Sequence, residues 1–161
     1  MAAIGCSDPA AALVRDLESP EVSVRSAAAR RLGETPIAEE RVVKALAARL
    51  RDDEAEVRRL AAYAIGRTGG DVASAQNELK SALDDRSVPV RLTAAYAMVS
   101  KFPADDAPVA VLAKAAREGD PRAIVALGQL GPVARASVAD LRIALGNRST
   151  LVRVKAIETL N

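Results

Sequence analysis

Histidine and tryptophan are absent from this 161-residue chain, cysteine occurs once, and only Phe102, Tyr63 and Tyr96 are aromatic. Without histidine there can be no His-based triad, no histidine general base and almost no route to a zinc site. The single thiol, Cys6, cannot close an internal disulfide. No run of 18 apolar residues occurs, so no segment reads as a membrane span. Charge is nearly balanced, with 23 Lys and Arg against 21 Asp and Glu, and the two signs are interspersed. A pI near 8.9 permits weak contact with nucleic acid without arguing for it. No cofactor or metal is expected, and nothing in the chain announces a catalytic site.

What the chain does have is a repeat. Val-Arg stands at Val24-Arg25, Val57-Arg58, Val90-Arg91 and Val152-Arg153, the first three copies evenly spaced and the last gap nearly twice as long. A fixed period of this size, about 33 residues, is the mark of stacked supersecondary units. Leu13, Leu46, Leu79 and Leu112 keep the same spacing, and Leu141 follows after a slightly shorter step. Leu17, Leu50, Leu83, Ala116 and Leu145 each lie one helical turn further on, which gives one face of a first helix, A, in every unit. Val-Arg opens a second helix, B, whose apolar positions Val57, Leu60, Ala61, Ala64 and Ile65 share one sector of a helical wheel. With half of its residues hydrophobic but so few aromatics, the core must be Leu, Val, Ile and Ala. An all-α fold follows.

The turns fit this division. Ser19, Asp52, Asp85 and Asn147 each stand just ahead of the Val of a Val-Arg pair, at one fixed offset, and all are helix-capping types. Pro20 then suits the first helical position, and Ser87 is the better cap in the third unit, leaving Pro89 in the first turn. Gly33, Gly69-Gly70, Pro103 and Gly131-Pro132 supply stops and restarts. The fourth unit is shortened by a deletion around Glu118-Gly119-Asp120-Pro121 and has lost its Val-Arg pair. Asp120 as cap, with Pro121 behind it, predicts a B helix about one turn shorter.

Val57 to Ala62, Val90-Arg91-Leu92-Thr93-Ala94-Ala95 and Ala126-Leu127-Gly128-Gln129-Leu130-Gly131 resemble bacterial HEAT repeats, in particular the HEAT-like repeats first associated with phycobilin lyases. The resemblance covers about residues 8–161. It implies a right-handed α-solenoid, or superhelix, of about five HEAT-like helix pairs with the B helices on the concave side. The repeat bounds are about 8–34, 35–69, 70–102, 103–131 and 132–161 in a single domain. It also implies that the repeated arginines, Arg25, Arg58, Arg91 and Arg153, bond within and between units as a structural ladder. Repeats of this kind serve unrelated partners, so the resemblance speaks for fold far more than for function.

On the face of helix B turned from the core, register transfer places Arg59, Ala62, Tyr63 and Gly66, then Leu92, Ala95, Tyr96 and Val99, then Pro121, Ile124, Val125 and Gly128. Such an apolar face with tyrosines at one repeat position is either buried by neighbouring units or a contact surface. The expected function is a non-catalytic protein-interaction scaffold that binds a protein or peptide segment there through Arg59, Tyr63, Leu92, Tyr96, Ile124 and Val125. Two alternatives stand beside it. One is nucleic-acid binding through Arg30, Arg31, Arg49, Arg51, Arg58 and Arg59, opposed by the interspersed acids. The other is a non-catalytic subunit of a lyase-type enzyme. The carboxylate pairs Asp52-Asp53, Asp84-Asp85 and Asp105-Asp106 fall in turns and read as capping groups.

Residues 1–7 read as a flexible tail, in which Ala3-Ile4-Gly5-Cys6 is similar to the end of a lipoprotein signal. Cys6 would then be a lipidation site and the cell envelope the location, with the cytoplasm the default otherwise. The last residues present a helix B with no polar capping helix after it, which leads to two expectations: a piece of a longer solenoid, or an end face that meets a partner, with end-to-end self-association as the testable form of the second.

Overall fold

The computed structural model describes residues 8–160, apart from the side chain of Ala136, so Cys6 and the expected tail lie outside the described residues. Ten α-helices follow one another along the described chain: α1 Pro9–Leu17, α2 Val22–Glu34, α3 Glu40–Arg49, α4 Ala55–Arg67, α5 Gln76–Ala82, α6 Val88–Lys101, α7 Val109–Arg117, α8 Pro121–Leu130, α9 Val138–Ala144 and α10 Thr150–Leu160. Two 3-10 segments, Ala73–Ala75 and Gly131–Ser137, lead into α5 and α9. These are five A–B helix pairs, and no strand occurs among the described residues.

The chain divides into two compact units, Met1–Glu78 and Leu79–Asn161. In the first, α1 packs on α2 and α3 on α4, while α2 lies against α4 and α1 against α3. In the second, α7 packs on α8 and α9 on α10, α6 meets α7 and α8, and α10 lies along α8. The repeated leucines explain this: Leu13, Leu17, Leu46, Leu50, Leu79, Leu83, Leu112 and Leu141 are all buried. Each contributes about 2 kcal/mol of transfer free energy. The predicted inner stripe of α4, Val57, Leu60, Ala61, Ala64 and Ile65, is buried as well. Alanine recurs at one further repeat position of the B helices, where Ala29, Ala62 and Ala95 are fully buried.

Three local expectations need correction. Ser19, Asp52, Asp85 and Asn147 do not cap their helices: the N-caps are Glu21 and Glu54 in the first two pairs and, as expected, Ser87 in the third, with Pro89 in its first turn, while α10 starts only at Thr150. Their side chains instead accept the amide two residues on, from Glu21, Glu54, Ser87 and Ser149 at 3.2, 3.1, 2.8 and 2.9 Å. That closes an Asx- or Ser-type turn ahead of the helix. Pro20 accordingly lies in the turn, outside α2. Gly33 is no stop either, since it lies inside α2. Its bare Cα is what the Tyr63 ring needs, because a Cβ there would come within 2.5 Å of the ring.

The fourth pair follows its expectation. Asp120 caps α8 through the Arg122 amide at 2.9 Å, Pro121 takes the first turn, and the helix has 10 residues where α4 has 13. Gly119, at φ +92°, makes the tightened turn before it.

Candidate binding surfaces

The repeated arginines act on the turns. In all four Val-Arg units the Nη1 of the arginine donates to both carbonyls that open the turn before its own helix. Arg25 reaches Ser19 and Pro20 (2.9 and 2.8 Å), and Arg58 reaches Asp52 and Asp53 (2.7 and 2.9 Å). Arg91 reaches Asp85 and Arg86 (2.8 and 3.4 Å), and Arg153 reaches Asn147 and Arg148 (2.9 and 3.0 Å). A guanidinium suits this because its donors form a rigid fork. Arg25 uses the rest of its fork on the next turn, with Nε and Nη2 on the two carboxylate oxygens of Asp52 at 2.7 and 3.0 Å. Burial pushes the Asp52 carboxyl up. The Arg25 hydrogen bonds, the Glu54 amide and the charges of Arg25 and Arg49 outweigh that and hold it below the ordinary carboxylate range.

Four more of the basic residues of the first unit are paired with acids. Arg59 forks onto Glu56 at 2.7 and 2.8 Å, and Arg30 approaches the same carboxylate at 3.5 Å. The Arg59 hydrogen bonds lower the Glu56 carboxyl, against a smaller upward push from burial. Arg49 meets Asp52 at 3.6 Å and Arg51 meets Glu78 at 3.7 Å. Arg58 is buried. A phosphate track would have to break these pairs.

On the outward side of the B helices the two tyrosines behave differently. In the first unit Tyr63 lies on Gly33 with 41% of its surface exposed, beside the Arg59–Glu56 pair on the same helix. In the second unit Tyr96 is half-buried, its hydroxyl 3.3 Å from Asp120 Oδ2. Arg122 binds both oxygens of Asp120 at 3.1 and 3.3 Å and lies 5.7 Å above the Tyr96 ring. Burial, then the Asp120 charge, pushes the Tyr96 hydroxyl up to about 12, with Arg122 opposing. Burial alone would raise the Asp120 carboxyl, but the hydrogen bonds of Arg122 hold it low. The spacing of Tyr96, Asp120 and Arg122 carries no signal of this cluster, because the deletion moves α8 out of register. Val125 is 39% exposed and Leu92 part-exposed.

Ile124 drops out of the expected contact set, since it is fully buried. It occupies the repeat position of Ala62 and Ala95, and α10 lies along its helix. Ala62, Ala95 and Val99, also expected to face outward, are buried too, because a B helix in a stack is covered along its sides. A shallow cavity of about 280 Å³ opens between α6 and α7, lined by Val88, Arg91, Leu92, Val111, Lys114 and Glu118 among others. Among the described residues no group of three or more metal-ligating side chains comes together, and no helix is long and apolar enough to cross a membrane.

Helix pairs repeated with the same turn clamp define an α-helical repeat protein. The family model for HEAT repeats matches residues 1–66 and 43–125, and the chain belongs to the HEAT-repeat family. No curated protein matches it in sequence. Among solved structures, the complex of CpcE and CpcF of phycocyanin lyase from Nostoc sp. PCC7120 is similar at 23% identity and a TM-score of 0.78, over 99% of this chain and 66% of that one. A designed armadillo repeat protein in complex with the peptide (KR)4 is similar at 17% identity and a TM-score of 0.73, over 92% and 79%. An engineered protein from a structural genomics consortium gives 22% and 0.74, over 94% and 77%. At these identities the likeness is one of fold.

Proposed function

We propose that this chain is a non-catalytic protein-interaction module whose B helices receive a partner segment on their outward side, at Arg59 and Tyr63 in the first unit and at Leu92, Tyr96 and Val125 in the second. The observation that carries the reading is the exposure of Tyr63, a large amphipathic ring held on a bare glycine rather than turned into the core. Aromatic anchors of this kind supply much of the energy at protein contacts. Rigid helix pairs lose little entropy on binding. The armadillo neighbour, solved with a (KR)4 peptide, supports a peptide as a ligand class for this fold. The pairing of Arg30, Arg49, Arg51 and Arg59 with acids disfavours nucleic acid. A subunit role in a lyase-type assembly draws only on fold likeness.

Affinity capture from a lysate of the source organism, comparing wild type with Tyr63→Ala/Tyr96→Ala at low and high salt, tests this. A protein held at high salt by wild type and lost by the double variant is the expected result. Equal capture by both would remove the tyrosines from the interface, and retention that nuclease and salt both abolish would make nucleic acid the partner.

A further inference from the structure

The joint between the third and fourth helix pairs has the parts of the Arg25–Asp52 clamp and leaves them apart. Arg91 stands two repeat periods after Arg25, and Glu118 the same step after Asp52. In the first unit, Nε and Nη2 of Arg25 close on Asp52 at 2.7 and 3.0 Å, and Arg49 approaches the same carboxylate at 3.6 Å. In the second unit, Arg91 grips its own turn through Nη1 at 2.8 and 3.4 Å. Among the described residues it meets no carboxylate, and Glu118 is exposed and makes no ion pair.

Between them lies the cleft of about 280 Å³, which Arg91 lines from α6 and Glu118 from the end of α7. Two departures from the first unit account for it. Ala115 stands at the repeat position of Arg49, so the side chain that backs the clamp is missing. The helix α8 starts about a turn further on in the repeat than α4 does, which shortens the helix beside α6. Contact across the joint is kept further along α6, where the Tyr96 hydroxyl lies 3.3 Å from Asp120 and Arg122 lies over the ring.

We propose that this joint is a latch with two positions. In the open one the cleft separates α6 from α7. In the closed one Glu118 seats on the Arg91 guanidinium as Asp52 does on Arg25, the joint turning about the Tyr96–Asp120 contact. An ion pair at an exposed rim contributes little, so neither position excludes the other. Asp84 and Lys114 complete the rim. Asp84 belongs to the same helix pair as Arg91, so a pairing between them draws nothing across. Lys114, one turn before Glu118 on α7, competes for that acid and favours the open position. Closing covers Val88, 49% exposed, and the part-exposed Leu92. Gating of a partner at Leu92 rests on the function proposed above, whereas the latch itself does not.

The test measures the joint directly in the full chain. With Cys6→Ser removing the native thiol, nitroxide labels are placed at Pro89→Cys on α6 and Arg117→Cys on α7, both exposed. Pulsed electron spin resonance then gives the distance between them. Two distances are expected, and Glu118→Gln should deplete the shorter at least fivefold. If that variant fails to fold by circular dichroism, the same depletion on going from about 0.05 to 1 M salt decides. A single distance, short or long, overturns the proposal, as does a shorter one that survives the substitution in a folded chain. Failure of the capture experiment would remove the partner surface and leave the latch standing, whereas a single distance removes the latch alone.

Discussion

The second and fourth helix pairs solve the same joint in opposite ways. Between α3 and α4 the segment from Leu50 to Glu54 forms a turn whose carboxylate is buried and gripped by Arg25. Between α7 and α8 the shorter segment from Glu118 to Asp120 suffices, and the turn is held by Gly119 at positive φ and a capping Asp120. The long turn is tied to the preceding pair by charge. The short one is made by backbone conformation, and its acid is turned to Arg122 and Tyr96. The first joint rests on a buried ion pair, the second on a glycine's backbone freedom and a helix cap.

The largest effect should come from removing the charge. Asp52→Ala strips Arg25 of its partner and the Glu54 amide of its acceptor, and should cost about 3 kcal/mol in urea unfolding. A cost near zero would mean that the pair merely decorates the turn. The same site sets a pH dependence. Its folded carboxyl lies below the ordinary 3.8, so its contribution is complete above that value and lost as pH falls through the folded value. Wild type should therefore lose stability below pH 3.8 more steeply than Asp52→Asn, read from unfolding midpoints across an acid series.

Gly119→Ala probes the other joint. It forces a side chain into φ +92° and within 2.8 Å of the Asn147 amide nitrogen, and should cost about 2 kcal/mol. If the cost is much smaller, the short turn has slack and the contrast with the second pair weakens. The smallest effect belongs to Tyr96→Phe, which removes one hydrogen bond to Asp120 at 3.3 Å and should cost about 0.5 kcal/mol. Because the ring remains, capture by the Phe variant should match wild type where the Ala variant fails.

Periodicity makes the helix pairs legible, because a leucine at the same place in every unit can be buried only if each unit repeats the last. The shortened α8 is legible too, from Asp120-Pro121 and the lost Val-Arg pair. The turns mislead for a physical reason: Ser, Asp and Asn accept an amide equally well at a helix cap and in a turn two residues earlier. Only the arginine's grip on the turn carbonyls decides between them. Ile124 is misplaced by a single helical wheel, which has one core direction, whereas a stacked B helix is covered along its sides as well. Gly33 reads as a stop because no property of its own helix announces the tyrosine of α4 that rests on it. The acid that answers Arg25 stands in the turn of the next pair, a spacing that acquires meaning only once α2 is seen beside α4.

The arginine clamp closes on main-chain oxygens, and Pro20, Asp53, Arg86 and Arg148 occupy the same place beneath it. At that one place a joint fastened in this way is indifferent to the side chain it carries. Replacing Pro20, Asp53, Arg86 or Arg148 by another residue should therefore leave the clamp closed, because its acceptors belong to the backbone.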